Sequence, residues 1–186
     1  TLAPIADIQG HPAQAQIETV LKNRMMDTFA DGTFRPDSNV DRQGFAQLLA
    51  LNTPLRQSLG SKPKFNDVTG NLAAWAEAAT ANGSTLRDWN FTPAGMISAS
   101  GWTFSPSANI SRLDTAVALV RALGLDTEAR AKAGSMVTVT YNGQTLTLTD
   151  NSDIPSALRG YVQLALDKGI LQAYFALEQG PFELFP

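Results

Sequence analysis

Apolar side chains recur at spacings of three and four in five stretches of this chain, and each stretch predicts an amphipathic helix. Ile17, Val20 and Leu21 form the first face; Phe45, Leu48 and Leu49, continued by Asn52, the second; Leu72, Trp75, Ala76 and Ala79 the third. The fourth follows Ser111 in "SRLDTAVALVRALGL", and the fifth joins Leu158, Tyr161, Val162, Ala165 and Leu166, with Gly169 placed as its C-cap. One segment changes period. In "SMVTVTYNGQTLTLTDN", Val137, Val139 and Tyr141 alternate with threonines, Asn142-Gly143 forms a turn dipeptide, and alternation resumes through Leu146 and Leu148. That pattern predicts a β-hairpin over about residues 136–149 with a type I′ turn, its threonines outward. A lone hairpin needs a body to pack on, so its apolar face is expected against the helices.

Residues 27–50, "DTFADGTFRPDSNVDRQGFAQLLA", carry four aspartates ahead of the second helix. A calcium loop starting at Asp27 would place Asp31 and Gly32 correctly, but Phe29 and Ser38 fall where ligands are required. A phosphate loop would need a terminal lysine-serine or lysine-threonine pair, which is absent. A turn accounts for more of the residues. Asp31-Gly32 makes the turn, Thr33 to Arg35 extend, Pro36 disfavours helix at the preceding residue, and Asp41 caps the helix that follows.

The arrangement recurs. Phe34, Pro36 and Arg42 map onto Phe104, Pro106 and Arg112 at one offset of seventy residues, which indicates an internal repeat. Upstream, Asp7-Ile8, Asp67-Val68 and Asp153-Ile154 each precede an apolar helical face. The expected division is a first repeat over 1–60, a second over 61–130 enlarged by an insertion at 83–101, and a hairpin with an incomplete third over 131–186, all in one compact unit. On this reading Pro186 stands one helix short of three complete repeats.

Asp-Val or Asp-Ile, a small amphipathic helix, "DGTFRP", then a helix opening with a polar residue and arginine: this order resembles the S-layer homology (SLH) module. The resemblance runs along nearly all of residues 5–52, part of 65–125, and least of 150–186. It implies a mainly α fold of helical repeats in a pseudo-threefold spindle, here with one inserted hairpin. It also implies binding of cell-wall-linked polysaccharide, holding an exported protein at the bacterial surface. The family's binding helix opens threonine-arginine-alanine-glutamate. The corresponding residues are Asp41-Arg42-Gln43-Gly44 and Ser111-Arg112-Leu113-Asp114, so the arginine is common to both and Gly44 removes the first acid. The family's tryptophan near the first helix is Pro12, while Trp102 lies just ahead of the second binding helix. The candidate ligand-binding residues are therefore Arg42, Arg112, Asp41, Ser111, Asp114 and Trp102.

Arginine at a helix start suits an anionic sugar, because its guanidinium grips a carboxylate in two places and the helix terminus adds donors. The competing reading pairs Arg42 and Arg112 with carboxylates of a neighbouring repeat. Trp75 reads as core; Trp89 and Trp102 flank the insertion and either pack or stack on sugar rings. His11, the only histidine, reads as a cap at the approach to the first helix.

Composition narrows the classes. The chain has 186 residues, 44% of them hydrophobic, enough for a core. A net charge of -3 without a basic run argues against nucleic acid, and no apolar run is long enough to span a membrane. The first twenty residues lack a signal-like pattern, so any export signal is expected outside the sequence given. Without cysteine and with one histidine, neither a metal site nor a cofactor is expected. No nucleophile and base constellation is present, so no enzyme activity is expected here; the resemblance implies that a secreted hydrolase, such as a protease, can be fused to such modules. The expected location is extracellular, at the cell surface or wall. The alternative is a structural module that docks on a fused enzyme domain or mediates self-association.

Overall fold

The computed structural model describes residues 4–53, 64–80 and 95–175, and the backbone alone of 178–179 and 184–185. The described residues form helices α1 (Gln14–Lys22), α2 (Arg42–Asn52), α3 (Gly70–Thr80), α4 (Arg112–Ala122), α5 (Asp126–Ala131) and α6 (Arg159–Asp167). Strands β1 (Thr138–Tyr141) and β2 (Gln144–Thr147) pair antiparallel, as do the two-residue strands β3 (Glu178–Gln179) and β4 (Leu184–Phe185). The protein is thus mainly helical with an inserted hairpin. The helices read from periodicity are α1 to α4 and α6; α5 and the β3/β4 pair were not expected. Contacts divide the chain into two compact units, Thr1–Ile110 and Ser111–Pro186. The division falls just before α4 because that helix packs on α5 and α6.

In the first unit Ile17 and Leu21 of α1 close over Ile5 and Ile8, with Phe34 at the margin. Helix α2 buries Phe45, Ala46, Leu49 and Ala50, and packs on α3, whose buried Ala73, Ala76, Ala78 and Ala79 bring the two backbones near. Trp75 is half-buried on α3. Two buried residues at the end of the insertion, Met96 and Ile97, donate their N–H groups to the Ala79 carbonyl at 2.7 and 3.1 Å. Trp89, with residues 83–94 of the insertion, lies outside the described residues.

The turn reading of residues 27–41 holds in detail. Asp31 accepts the Thr33 N–H at 3.0 Å and the Thr33 hydroxyl at 2.6 Å, and pairs with Arg35 at 2.8 Å. Those bonds hold its carboxyl well below the usual carboxylate range. Asp7 reaches over from the first segment to accept the N–H groups of Phe34 and Arg35, the latter at 2.6 Å. Sixty residues on, Asp67 accepts those of Phe104 and Ser105 at 2.9 and 2.7 Å. Arg35 and Ser105 share a left-handed backbone, φ 58° and 59°, uncommon for residues with a Cβ. The sequence offset between Phe34 and Phe104 is therefore matched by a shared geometry. His11 caps as expected: its Nδ1 accepts the Ala13 N–H at 3.1 Å, which leaves the proton on Nε2 to bond Asp37.

In the second unit Ala116, Val117 and Val120 of α4, Ala129 of α5, and Tyr161, Leu164 and Ala165 of α6 make one core. The hairpin follows its predicted register, with Val139 opposite Leu146 and Tyr141 opposite Gln144. Asn142 and Gly143 have φ of 47° and 78°, the two positive values of a type I′ turn. It packs on α6 through Gln163, whose side chain accepts the Thr138 N–H at 2.8 Å and donates to the Thr138 carbonyl at 3.0 Å. Val137 is buried, and its N–H is taken by the buried Asn151 side chain. None of the described helices is long and apolar enough to cross a membrane.

Candidate functional site

The two helix starts singled out by the sequence use the same parts in different places. Asp41 is the N-cap of α2; its Oδ1 accepts the Gly44 N–H at 2.8 Å, and its Oδ2 takes a bond from Gln43. A Cβ at position 44 would lie 3.0 Å from that Oδ1, so a charged cap and a bare third position go together. At α4, Ser111 Oγ accepts the Asp114 N–H at 3.0 Å and donates to Asp114 Oδ2 at 2.8 Å. Each start thus carries one carboxylate, at the cap in α2 and three residues later in α4. Both sit at the positive end of a helix dipole.

The arginines beside them differ in what they touch. Arg42 is half-buried: Nε donates to the Phe104 carbonyl at 2.8 Å, Nη2 donates to the Ser98 carbonyl at 2.6 Å, and the guanidinium lies 4.9 Å from the centre of the buried Phe104 ring. Those bonds run to backbone carbonyls, where the competing sequence reading had carboxylates, and they tie the loop before α4 to α2. Arg112 is exposed. Its Nη2 donates to the Gln172 carbonyl at 2.6 Å, and its guanidinium lies 4.7 Å over the Tyr174 ring, itself 83% exposed. Trp102 is 62% exposed in the first unit, on the turn where Ser100 pairs with Thr103, and its carbonyl accepts the Asn66 N–H.

Arg112 opens onto a groove of about 460 Å³ within the second unit. Leu113, Val139, Leu146 and Leu148 supply apolar walls, with Asp150 and Tyr174 also lining it. A cationic head fixed over a ring, beside walls from which water is displaced, can hold an anionic group more firmly than the same arginine in open solvent. Tyr174, and Phe175 stacked 4.5 Å from Tyr141, were not among the residues singled out by sequence. A signal was present. Leu21, Arg24 and Phe29 precede Leu166, Gly169 and Tyr174 by 145 residues in each case, and Arg24 and Gly169 share positive φ. Phe29 is itself covered by a guanidinium, that of Arg35 at 4.0 Å.

A comparison with curated proteins found no match. A scan of family models matches residues 4–46 to the S-layer homology domain, a span that takes in α1, the Asp31 turn, and the start of α2 with Asp41 and Arg42. The match supports an S-layer homology domain at residues 4–46 of this chain.

Proposed function

We propose that this chain is a noncovalent anchor that holds an exported protein at the bacterial cell surface by binding cell-wall-linked polysaccharide. S-layer homology domains are non-catalytic modules that anchor proteins to cell-wall polysaccharide. The finer parts of the proposal are that the chain comprises two such repeats and an incomplete third, that Arg112 with Ser111 and Asp114 is the principal contact, and that the cargo is a fused secreted domain such as a hydrolase. The carrying observation is Arg112 itself: an exposed guanidinium, held by one carbonyl and one aromatic ring, at the mouth of a groove. Arg42 with Asp41 belongs to the proposal as support, and Trp102 as an exposed ring able to stack on a sugar.

Two single variants separate these roles by co-sedimentation with purified sacculi. Arg112→Ala is expected to weaken binding at least about tenfold, because a charged hydrogen bond contributes roughly 1.5–3 kcal/mol, while the unfolding midpoint stays put. Arg42→Ala is expected to do the reverse, lowering the midpoint of the first unit by releasing the Ser98 and Phe104 carbonyls. Unchanged binding by folded Arg112→Ala removes Arg112 from the site.

A further inference from the structure

We propose that Met136 is an oxidation site and that its sulfoxide releases the root of the hairpin. Met136 is 56% exposed, whereas Asn151, whose side-chain amide it meets, is buried at 5% exposure. The Asn151 Oδ1 accepts the Val137 N–H at 2.9 Å, and its Nδ2 donates to Met136 Sδ at 3.3 Å. A backbone N–H can only donate, so Val137 fixes which end of the amide is the oxygen and turns the nitrogen to the sulfur. An accessible thioether thus serves as acceptor for a buried polar group.

The same asparagine closes the hairpin. Val137 precedes β1 and is itself buried; its carbonyl accepts the Leu148 N–H at 3.0 Å, and the Leu148 carbonyl accepts the Asn151 N–H at 3.1 Å. Backbone and side chain of Asn151 therefore hold both strands at the end away from the turn. Farther along, Val139 faces Leu146, and at the tip Tyr141 stacks on Phe175. A change at the root is passed to these residues along two short strands.

A methionine takes an oxygen atom from a peroxide: an S–O bond forms, the O–O bond breaks, sulfur gives up two electrons and the rest of the hydrogen peroxide leaves as water. In the sulfoxide the acceptor is the new oxygen, and the sulfur carries partial positive charge. The 3.3 Å between Nδ2 and Sδ has no room for an oxygen between them. The buried Nδ2 then lacks an acceptor, and the amide turns away from Val137 to reach water. Two other methionines calibrate the reaction. Met96 is shielded at 1% exposure, and Met25, in the first unit, is 48% exposed.

The test treats the isotope-labelled chain with hydrogen peroxide, locates sulfoxides by peptide mass mapping, and follows amide hydrogen exchange by NMR. Met136 and Met25 are expected to oxidise before Met96. Exchange at the Val137 amide is expected to rise at least about tenfold, the scale of losing one buried hydrogen bond, and methionine sulfoxide reductase to restore slow exchange. In Met136→Leu the Val137 amide is expected to exchange fast from the start and to ignore peroxide, since leucine removes the acceptor as oxidation does. Unchanged Val137 exchange once Met136 is oxidised overturns the proposal. So does the same peroxide response in Met136→Leu, where Met25 still oxidises, or a Met136 that stays reduced after Met25 has reacted.

Discussion

Asp126→Ala is expected to destabilise the second unit by about 3–5 kcal/mol, the scale of breaking a buried ion pair from one side. Asp126 is 7% exposed, and its carboxylate takes three bonds: from the Tyr161 hydroxyl at 2.5 Å, Arg121 Nε at 2.9 Å and Arg130 Nε at 2.6 Å. Its removal takes one carboxylate partner from the largely buried Arg121 and the acceptor from the Tyr161 hydroxyl. Burial by itself pushes this carboxyl up, but the bonds from Tyr161, Arg130 and Arg121 outweigh it, and the net shift is downward. A carboxyl with a depressed folded pKa stabilises the fold above its unfolded pKa, near about 4, and that contribution is lost as pH falls through the folded value. Denaturant unfolding of the wild-type chain and of Asp126→Asn, followed from neutral pH into acid, checks both points. Stability is expected to fall more steeply with acid in the wild-type chain. Parallel pH profiles would remove Asp126 from the account.

Gly160→Ala is expected to cost about 2–3 kcal/mol even though alanine gains roughly 1 kcal/mol over glycine within a helix. A Cβ built at this position on α6 lies 1.9 Å from the Ala129 carbonyl oxygen and 3.0 Å from Lys132 Cβ. The first is a backbone atom at the end of α5 and cannot rotate aside, so the two helices must part. Tyr161, the next residue, would then move relative to Asp126. Loss of near-ultraviolet circular dichroism together with a lower unfolding midpoint is the expected signature. A midpoint at or above that of the wild-type chain would mean that α5 does not approach α6 this closely.

Both predictions concern α5, the element that periodicity did not find. Six residues are too few to show a 3.6-residue face, and Asp126 and Glu128 make its first turn polar. Its structure is set by tertiary bonds from α4 and α6, which no local window contains. Where local rules decide, the reading was direct. Asn142-Gly143 determined the hairpin's turn and register, Asp41 and Ser111 capped the helices they precede, and Asp31 closed the turn ahead of Pro36. At the site, the sequence located both arginines but could not separate them. Arg42 is half-buried on the Ser98 and Phe104 carbonyls and Arg112 is exposed beside the Gln172 carbonyl, partners 56 to 62 residues away that no local window contains. Tyr174 was recoverable only by carrying the repeat offset to the turn after α6, where glycine replaces the Arg24 of the first copy.

Anchoring to a wall polysaccharide is the central claim, and co-sedimentation with sacculi before and after removal of the attached polysaccharide tests it most directly. The folded wild-type chain is expected to pellet with intact sacculi and to stay in solution once the polysaccharide is stripped. Equal pelleting with stripped and intact sacculi, or no pelleting with either, would contradict the claim and favour a module that docks on another protein domain.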